Sequence, residues 1–170
     1  MDSLTLGPIT RVDGVVDVPG SKSASNRVLL MSALASGTTT VSHLLDSDDT
    51  SHMIEALAAM GVAIVLTPER TGATVTGAGG PLPATQAALF LGNAGTAVRP
   101  LTAALCLGNG TFMVSGDGQM HERPIRDLVD ALRQLGARVD YLGRDSCPPL
   151  RIVASGITGD ACTVRGDTSS

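Results

Sequence analysis

The chain has 170 residues, enough for one sizeable domain or two small ones, and its 43% hydrophobic content suits a packed interior. Aromatic residues make up only 2%, with no Trp, one Tyr and two Phe, so the core must be aliphatic and base-stacking platforms for nucleic acid are few. A formal charge of −4 argues against a general polyanion binder and leaves any cationic cluster as a local exception suited to a small partner.

In chain order, Met1 to Thr10 suggests a short strand and loop, and Val15-Val16-Asp17-Val18 a first strand. Pro19-Gly20 supplies a turn, after which Ser21 or Ser23 caps a helix running to about Ala35, closed by Ser36-Gly37. Thr38-Thr39-Thr40-Val41 is β-branched and reads as a strand. Ser47-Asp48-Asp49-Thr50 then caps a second helix whose apolar face is Met53, Ile54, Leu57, Ala58 and Met60, with Gly61 as its stop. Asp48 and Asp49 are tempting as a catalytic carboxylate pair, but their place before a helical run favours capping. Val62 to Leu66 and Ala73 to Thr76 follow as a hairpin around Pro68 to Gly72, so the order is β-α-β-α-β-β.

The same order then returns. Ala88 to Leu91 is a strand, Gly95 to Leu107 a helix, Thr111 to Val114 a strand, and Pro124 to Leu135 a helix with Pro at its start. Ala137 to Leu142 and Leu150 to Ala154 close a second hairpin. Ala56-Leu57-Ala58-Ala59-Met60-Gly61-Val62 parallels Ala131-Leu132-Arg133-Gln134-Leu135-Gly136-Ala137, which points to an internal duplication. The expected fold class is therefore α/β (α+β), with an N-terminal segment 1–14, a first repeat 15–83, a second repeat 84–155 and, at 156–170, the start of a third. In that last stretch Val164-Arg165-Gly166-Asp167-Thr168-Ser169 lines up with Val18 to Ser23, and Ser169-Ser170 reads as a helix cap without its helix, the expectation for a fragment or for one half of a split protein.

Three loops carry anion-binding groups. Pro19-Gly20-Ser21-Lys22-Ser23-Ala24-Ser25-Asn26-Arg27 packs a turn, two cations and small polar side chains just before the apolar run Val28-Leu29-Leu30-Met31. At such a helix start the free N–H groups and the dipole favour negative charge by roughly 0.3–2 kcal/mol. Lys22 adds a point charge and Arg27, one turn on, a bidentate fork. A capped surface helix carries the same residue types, so the segment alone does not decide between the two. It is not a nucleotide P-loop, because Ser21 separates Gly20 from Lys22 and Val15 stands five before Gly20. In the second loop, Leu91-Gly92-Asn93-Ala94-Gly95-Thr96-Ala97-Val98-Arg99-Pro100-Leu101, the glycines let the backbone approach a ligand and Thr96 can cap; a tight turn that binds nothing fits these residues as well. The third, Met120-His121-Glu122-Arg123-Pro124-Ile125, brings Arg123 to the mouth of the next helix, where Glu122 is expected to cap or pair locally.

Cys106, Cys147 and Cys162 are odd in number and include no C-x-x-C pair, so neither a disulfide framework nor a zinc site is indicated and a reducing cytoplasm fits best. His43, His52 and His121 have no ligand spacing and read as surface residues; no metal is expected. The N-terminus lacks a basic region followed by an apolar segment, and no apolar run approaches the roughly 18 residues of a membrane span.

Taken together, Pro19-Gly20-Ser21-Lys22-Ser23-x-Ser25-Asn26-Arg27, Leu91-Gly92-Asn93-Ala94-Gly95-Thr96-Ala97-x-Arg99-Pro100-Leu101 and Met120-x-Glu122-Arg123-Pro124-Ile125 closely resemble the 5-enolpyruvylshikimate-3-phosphate synthase family. Three motifs in order make the resemblance specific. It covers essentially the whole chain and about the first two-fifths of a family member. The terminal Gly166-Asp167-Thr168-Ser169-Ser170 is similar to the family's Ser-Ser-Gln motif cut before its Gln.

The resemblance implies an enolpyruvyl transferase-like inside-out α/β barrel of two globes, each of three β-α-β-α-β-β units, with the first twenty or so residues belonging to the other globe. It implies a cytoplasmic shikimate-pathway transferase, a glyphosate target, that moves the enolpyruvyl group of phosphoenolpyruvate to the 5-hydroxyl of shikimate 3-phosphate and releases phosphate without a cofactor. By position, Ser23, Arg27, Ser169 and Ser170 are expected to hold shikimate 3-phosphate, and Lys22, Gly95 and Arg123 phosphoenolpyruvate. Asn93 and Thr96 join them as substrate-binding residues. Lys22 is the one residue expected to act directly on the transition state, by neutralising charge near the phosphate. The general acid and base lie mainly in the family's second globe, so this chain alone is expected to be inactive and the complementary C-terminal part to be its partner. Gln119 departs from the Arg that many members carry there and removes a charge beside the pocket. The related UDP-N-acetylglucosamine enolpyruvyl transferases have Lys-Asn in place of Lys22-Ser23 and lack the Ser-Asn-Arg ending. A non-catalytic domain for small phosphorylated acids is the alternative of a different class, which a coupled assay with both substrates separates.

Overall fold

Ser21 accepts a hydrogen bond from the Ala24 N–H at 3.3 Å and so opens α1 (Lys22–Leu34). The computed structural model in which this is seen describes residues 3–5 and 7–164. After α1 come β1 (Thr38–Ser42), α2 (Asp48–Ala59), β2 (Ala63–Leu66), β3 (Gly72–Thr76), β4 (Gln86–Phe90), α3 (Gly95–Cys106), β5 (Asn109–Ser115), a 3₁₀ turn at Met120–Glu122, α4 (Arg126–Gln134), β6 (Arg138–Tyr141) and β7 (Leu150–Ser155).

Two sheets carry the helices. In the first, β3 lies between β1 and β2 and is antiparallel to both, Thr74 pairing with Thr40 on one side and Val65 on the other. In the second, β7 lies between β5 and β6 in the same antiparallel manner, and β4 adds a parallel strand on the outer edge of β5. The α3 crossover makes that parallel pairing possible. Leu29, Met53, Leu57 and Val75 from the first half meet Leu101, Leu105, Phe112 and Ile152 from the second in one fully buried core. Helix α1 packs against both α2 and α3. Burial of each such side chain stabilises by about 1.5–3 kcal/mol.

Several expectations are corrected. Val15 to Val18 forms no strand; Val15 is 98% exposed, and the equivalent edge of β1 has no partner among the described residues. β-branched residues suit a pleated surface, but a lone segment has neither a ladder to join nor a face to bury. The described residues of Met1 to Thr10 likewise hold no strand. Ser47, not Asp48 or Asp49, caps α2, in a capping box with Thr50. Thr96 caps nothing. Helix α4 begins at Arg126 rather than Pro124, because the Ile125 N–H is held by the Ser146 carbonyl at 2.8 Å. Ser169, Ser170 and most of the segment aligned with Val18 to Ser23 lie outside the described residues.

Candidate phosphate-binding cleft

The starts of the four α-helices among the described residues line one open cleft of about 1460 Å³: Lys22 and Ser23 of α1, Asp49 of α2, Gly95 and Thr96 of α3, and Arg126 and Asp127 of α4. Each start presents the positive end of a peptide dipole. The ends are not equivalent. Helix α2 carries Asp48 and Asp49 in its first turn and α4 carries Asp127, whereas α1 and α3 have no acidic residue there. The N–H groups of Lys22, Ser23 and Thr96 donate to nothing among the described residues. With no carboxylate of their own in the first turn, the α1 and α3 starts suit an anion better than those of α2 and α4.

Gly20 sets α1 in place. A Cβ at that position would stand 2.3 Å from the His43 carbonyl oxygen, so only glycine lets the chain cross the loop between β1 and α2 so closely. Lys22 reaches across the cleft to Asp49, Nζ to Oδ2 at 3.2 Å. Arg27 is exposed and has no ion pair among the described residues. On the facing side, Arg123 lies over the first residue of α3: a Cβ on Gly95 would be 2.7 Å from Arg123 Nη1 and 3.6 Å from Arg99 Nη1. Arg99 donates from Nη2 to the Pro124 carbonyl at 3.0 Å and so ties the Arg123-Pro124 segment to α3. Asn93 donates from Nδ2 to Gln119 Oε1 at 2.5 Å, which gives Gln119 a contact in the second anion loop in place of a charge.

Lys22, Ser23, Arg27, Asn93, Gly95, Thr96 and Arg123 thus all line the same cleft, although they come from three separate stretches. Glu122 also lines it and neither caps nor ion-pairs among the described residues. The histidines differ from expectation: His43 is exposed, but His52 is half-buried with its ring edge-on to Phe90, and His121 is half-buried with its Nε2 unpaired among the described residues.

Local sequence reasoning missed several residues of the cleft. Asp49 is a partner of Lys22, Arg99 braces the Arg123 loop, and Arg126 pairs with Asp145 from the β6–β7 loop. The Ser146 hydroxyl beside it, with Arg126, holds the Asp145 carboxyl below the usual carboxylate range. The signal for that loop was its length, since residues 142–149 far exceed a tight hairpin turn. Arg144, also on it, faces the cleft.

Residues 6–170 match the family model of EPSP synthase (3-phosphoshikimate 1-carboxyvinyltransferase). The chain is 59% identical over its whole length to the 3-phosphoshikimate 1-carboxyvinyltransferase of Cupriavidus necator, covering 39% of that protein. It is 58% identical over 99% of its length to that of Erwinia tasmaniensis, covering 40% of it. Among solved structures, EPSP synthase from Acinetobacter baumannii superposes with a TM-score of 0.75 at 33% identity, over 84% of this chain and 32% of that one. The enolpyruvyl transferase NikO from Streptomyces tendae, at 19% identity and a TM-score of 0.58 over 87% of this chain and 31% of that one, shares the fold. The chain therefore spans about 40% of the length of the curated relatives it matches.

Proposed function

The chain belongs to the EPSP synthase (3-phosphoshikimate 1-carboxyvinyltransferase) family, and on that premise we propose that it forms one wall of an active site for enolpyruvyl transfer. The reaction adds the 5-hydroxyl oxygen of shikimate 3-phosphate to C2 of phosphoenolpyruvate while its methylene takes a proton. Loss of that proton and of inorganic phosphate from the tetrahedral intermediate then leaves the enol ether. The observation that carries this assignment is the meeting of two helix starts without acidic residues in their first turns, one of them lacking a side-chain cap, with Lys22, Arg27 and Arg123 in one cleft, in a chain whose net charge is −4. Two multiply charged anions need that arrangement.

In this proposal Ser23 and Arg27, with Ser169 and Ser170, hold shikimate 3-phosphate, and Lys22, Gly95 and Arg123 hold phosphoenolpyruvate beside Asn93 and Thr96. Lys22 acts on the reacting phosphate by charge. The rest of the enzyme, corresponding to the portion of the relatives this chain does not cover, supplies the general acid and base. The division into repeats 15–83 and 84–155 is proposed on the like order of β1-β3-β2 and β5-β7-β6. Among the described residues no helix is long and apolar enough to cross a membrane, and with three free cysteines a cytoplasmic setting is proposed.

Phosphate release with both substrates tests the assignment, first with this chain and then with a polypeptide matching the uncovered portion of its relatives. Turnover is expected only on mixing. Turnover by the 170-residue chain alone would overturn the two-part site, and failure of either ligand to bind the mixture would overturn the assignment itself.

A further inference from the structure

We propose that Asn26 is a positioning residue that joins the two anion-attracting helix starts and turns the Thr96 hydroxyl proton toward the cleft; this rests on the anion-binding role proposed for that cleft. Asn26 is completely buried. Its neighbour Ser25 already secures α1 to the loop before α2 by accepting from the Leu45 N–H at 3.0 Å. Asn26 reaches the other way, donating from Nδ2 to Thr96 Oγ1 at 2.9 Å. Among the described residues this is the sole side-chain hydrogen bond between α1 and α3.

The direction of that bond matters. An amide NH₂ only donates, while a hydroxyl has one proton and two lone pairs. With Asn26 on an oxygen lone pair, the Thr96 proton is directed elsewhere, and it meets no acceptor among the described residues. Thr96 lines the cleft one residue after Gly95, beside its own free backbone N–H. Hydroxyl and N–H together offer an anion two donors at the α3 start. Asn26 Oδ1 meanwhile is buried without a partner among the described residues, an arrangement unfavourable to stability. What the side chain achieves is orientation and spacing. It fixes the α1 group, with Lys22 and Arg27, against the α3 group, with Gly95, Thr96 and Arg123.

The test is titration of the 170-residue chain with inorganic phosphate, followed by NMR at the Asn26 side-chain amide and the Ser23 and Thr96 backbone amides. Variants are Asn26→Leu, Thr96→Val, the double variant and Thr96→Ser, each with its melting temperature measured. The wild-type chain is expected to bind with a dissociation constant in the millimolar range. Asn26→Leu and Thr96→Val should each weaken binding by about five- to tenfold, and the double variant no more than the worse single one. Thr96→Ser, which keeps the hydroxyl, should restore near-wild-type affinity. Losses that multiply, or wild-type affinity in a folded Asn26→Leu chain, would overturn the proposal. Should Asn26→Leu not fold, unchanged affinity in Thr96→Val overturns it. A purely structural role lowers the melting temperature and leaves the phosphate affinity in place. No saturable response in the wild-type chain would instead sink the anion-binding cleft, and this inference with it.

Discussion

The Lys22 ammonium stands 3.2 Å from the Asp49 carboxylate across the mouths of α1 and α2, and both groups face the cleft. The cation assigned to phosphoenolpyruvate is therefore already partnered before an anion arrives. Lys22 is about half exposed, and pairs so exposed are worth only about 0.2–1 kcal/mol. A phosphate should displace or share Asp49 readily. Asp49→Asn is expected to tighten inorganic phosphate binding by about two- to fivefold, the equivalent of releasing such a pair. Calorimetric titration checks this, and weaker binding would show that Asp49 serves chiefly to orient Lys22.

Among the described residues Arg27 has no competing carboxylate. In the assembled enzyme Arg27→Ala is expected to weaken shikimate 3-phosphate more than phosphoenolpyruvate, by about 2–5 kcal/mol if the pair is desolvated on binding. Titration with each ligand separately decides the matter. Equal losses for both would contradict the assignment of Arg27 to the shikimate 3-phosphate end.

At Gly95 the geometry specifies what a methyl group would meet. Its nearest neighbour is Arg123 Nη1 at 2.7 Å, the far end of a flexible side chain rather than backbone. Gly95→Ala should therefore leave the melting temperature nearly unchanged while pushing the guanidinium into the cleft. A ligand longer than phosphoenolpyruvate, such as the family inhibitor glyphosate, should lose more affinity than phosphoenolpyruvate itself. Inhibition and Michaelis constants moving in parallel would mean that Gly95 does not face the ligand.

Cys106 lies in the core and donates from Sγ to the Thr102 carbonyl, and burial pushes its thiol up to about 11. In the unfolded chain a thiol ionises near about 8.5. Between those values the unfolded state binds fewer protons than the folded one, so stability falls as pH rises through the window. Urea unfolding from pH 8 upward should show that decline, and Cys106→Ala, though less stable throughout, should show less of it. The exposed Cys162 should react with a thiol reagent well before Cys106.

Element types were legible wherever a local rule was decisive. Ser47 and Gly61 bracket α2 because a serine cap and a glycine at φ +88° act within one turn of the helix. The hairpin of β2 and β3 followed from two β-branched runs with a proline and glycine between them. Val15 to Val18 misled because β-branched composition records fitness for a sheet and not the presence of a neighbouring strand. Thr96 misled for a related reason. Its position suggested a cap, but its oxygen is taken by Asn26, seventy residues away, which no local pattern reveals.

By itself the sequence determined the helices and most strands, the three cation-bearing loops, and the family to which they are similar, since these depend on caps, periodicity and glycine placement over a few residues. Only the tertiary structure decided that four helix starts converge on one cleft, that Lys22 is ion-paired while, among the described residues, Arg27 and Arg123 are not, and that Asn26 bridges α1 to α3. Charge pairing and hydrogen bonding fall off over a few ångströms, and the packing of α1 against α2 and α3 sets which distant residues come within that range.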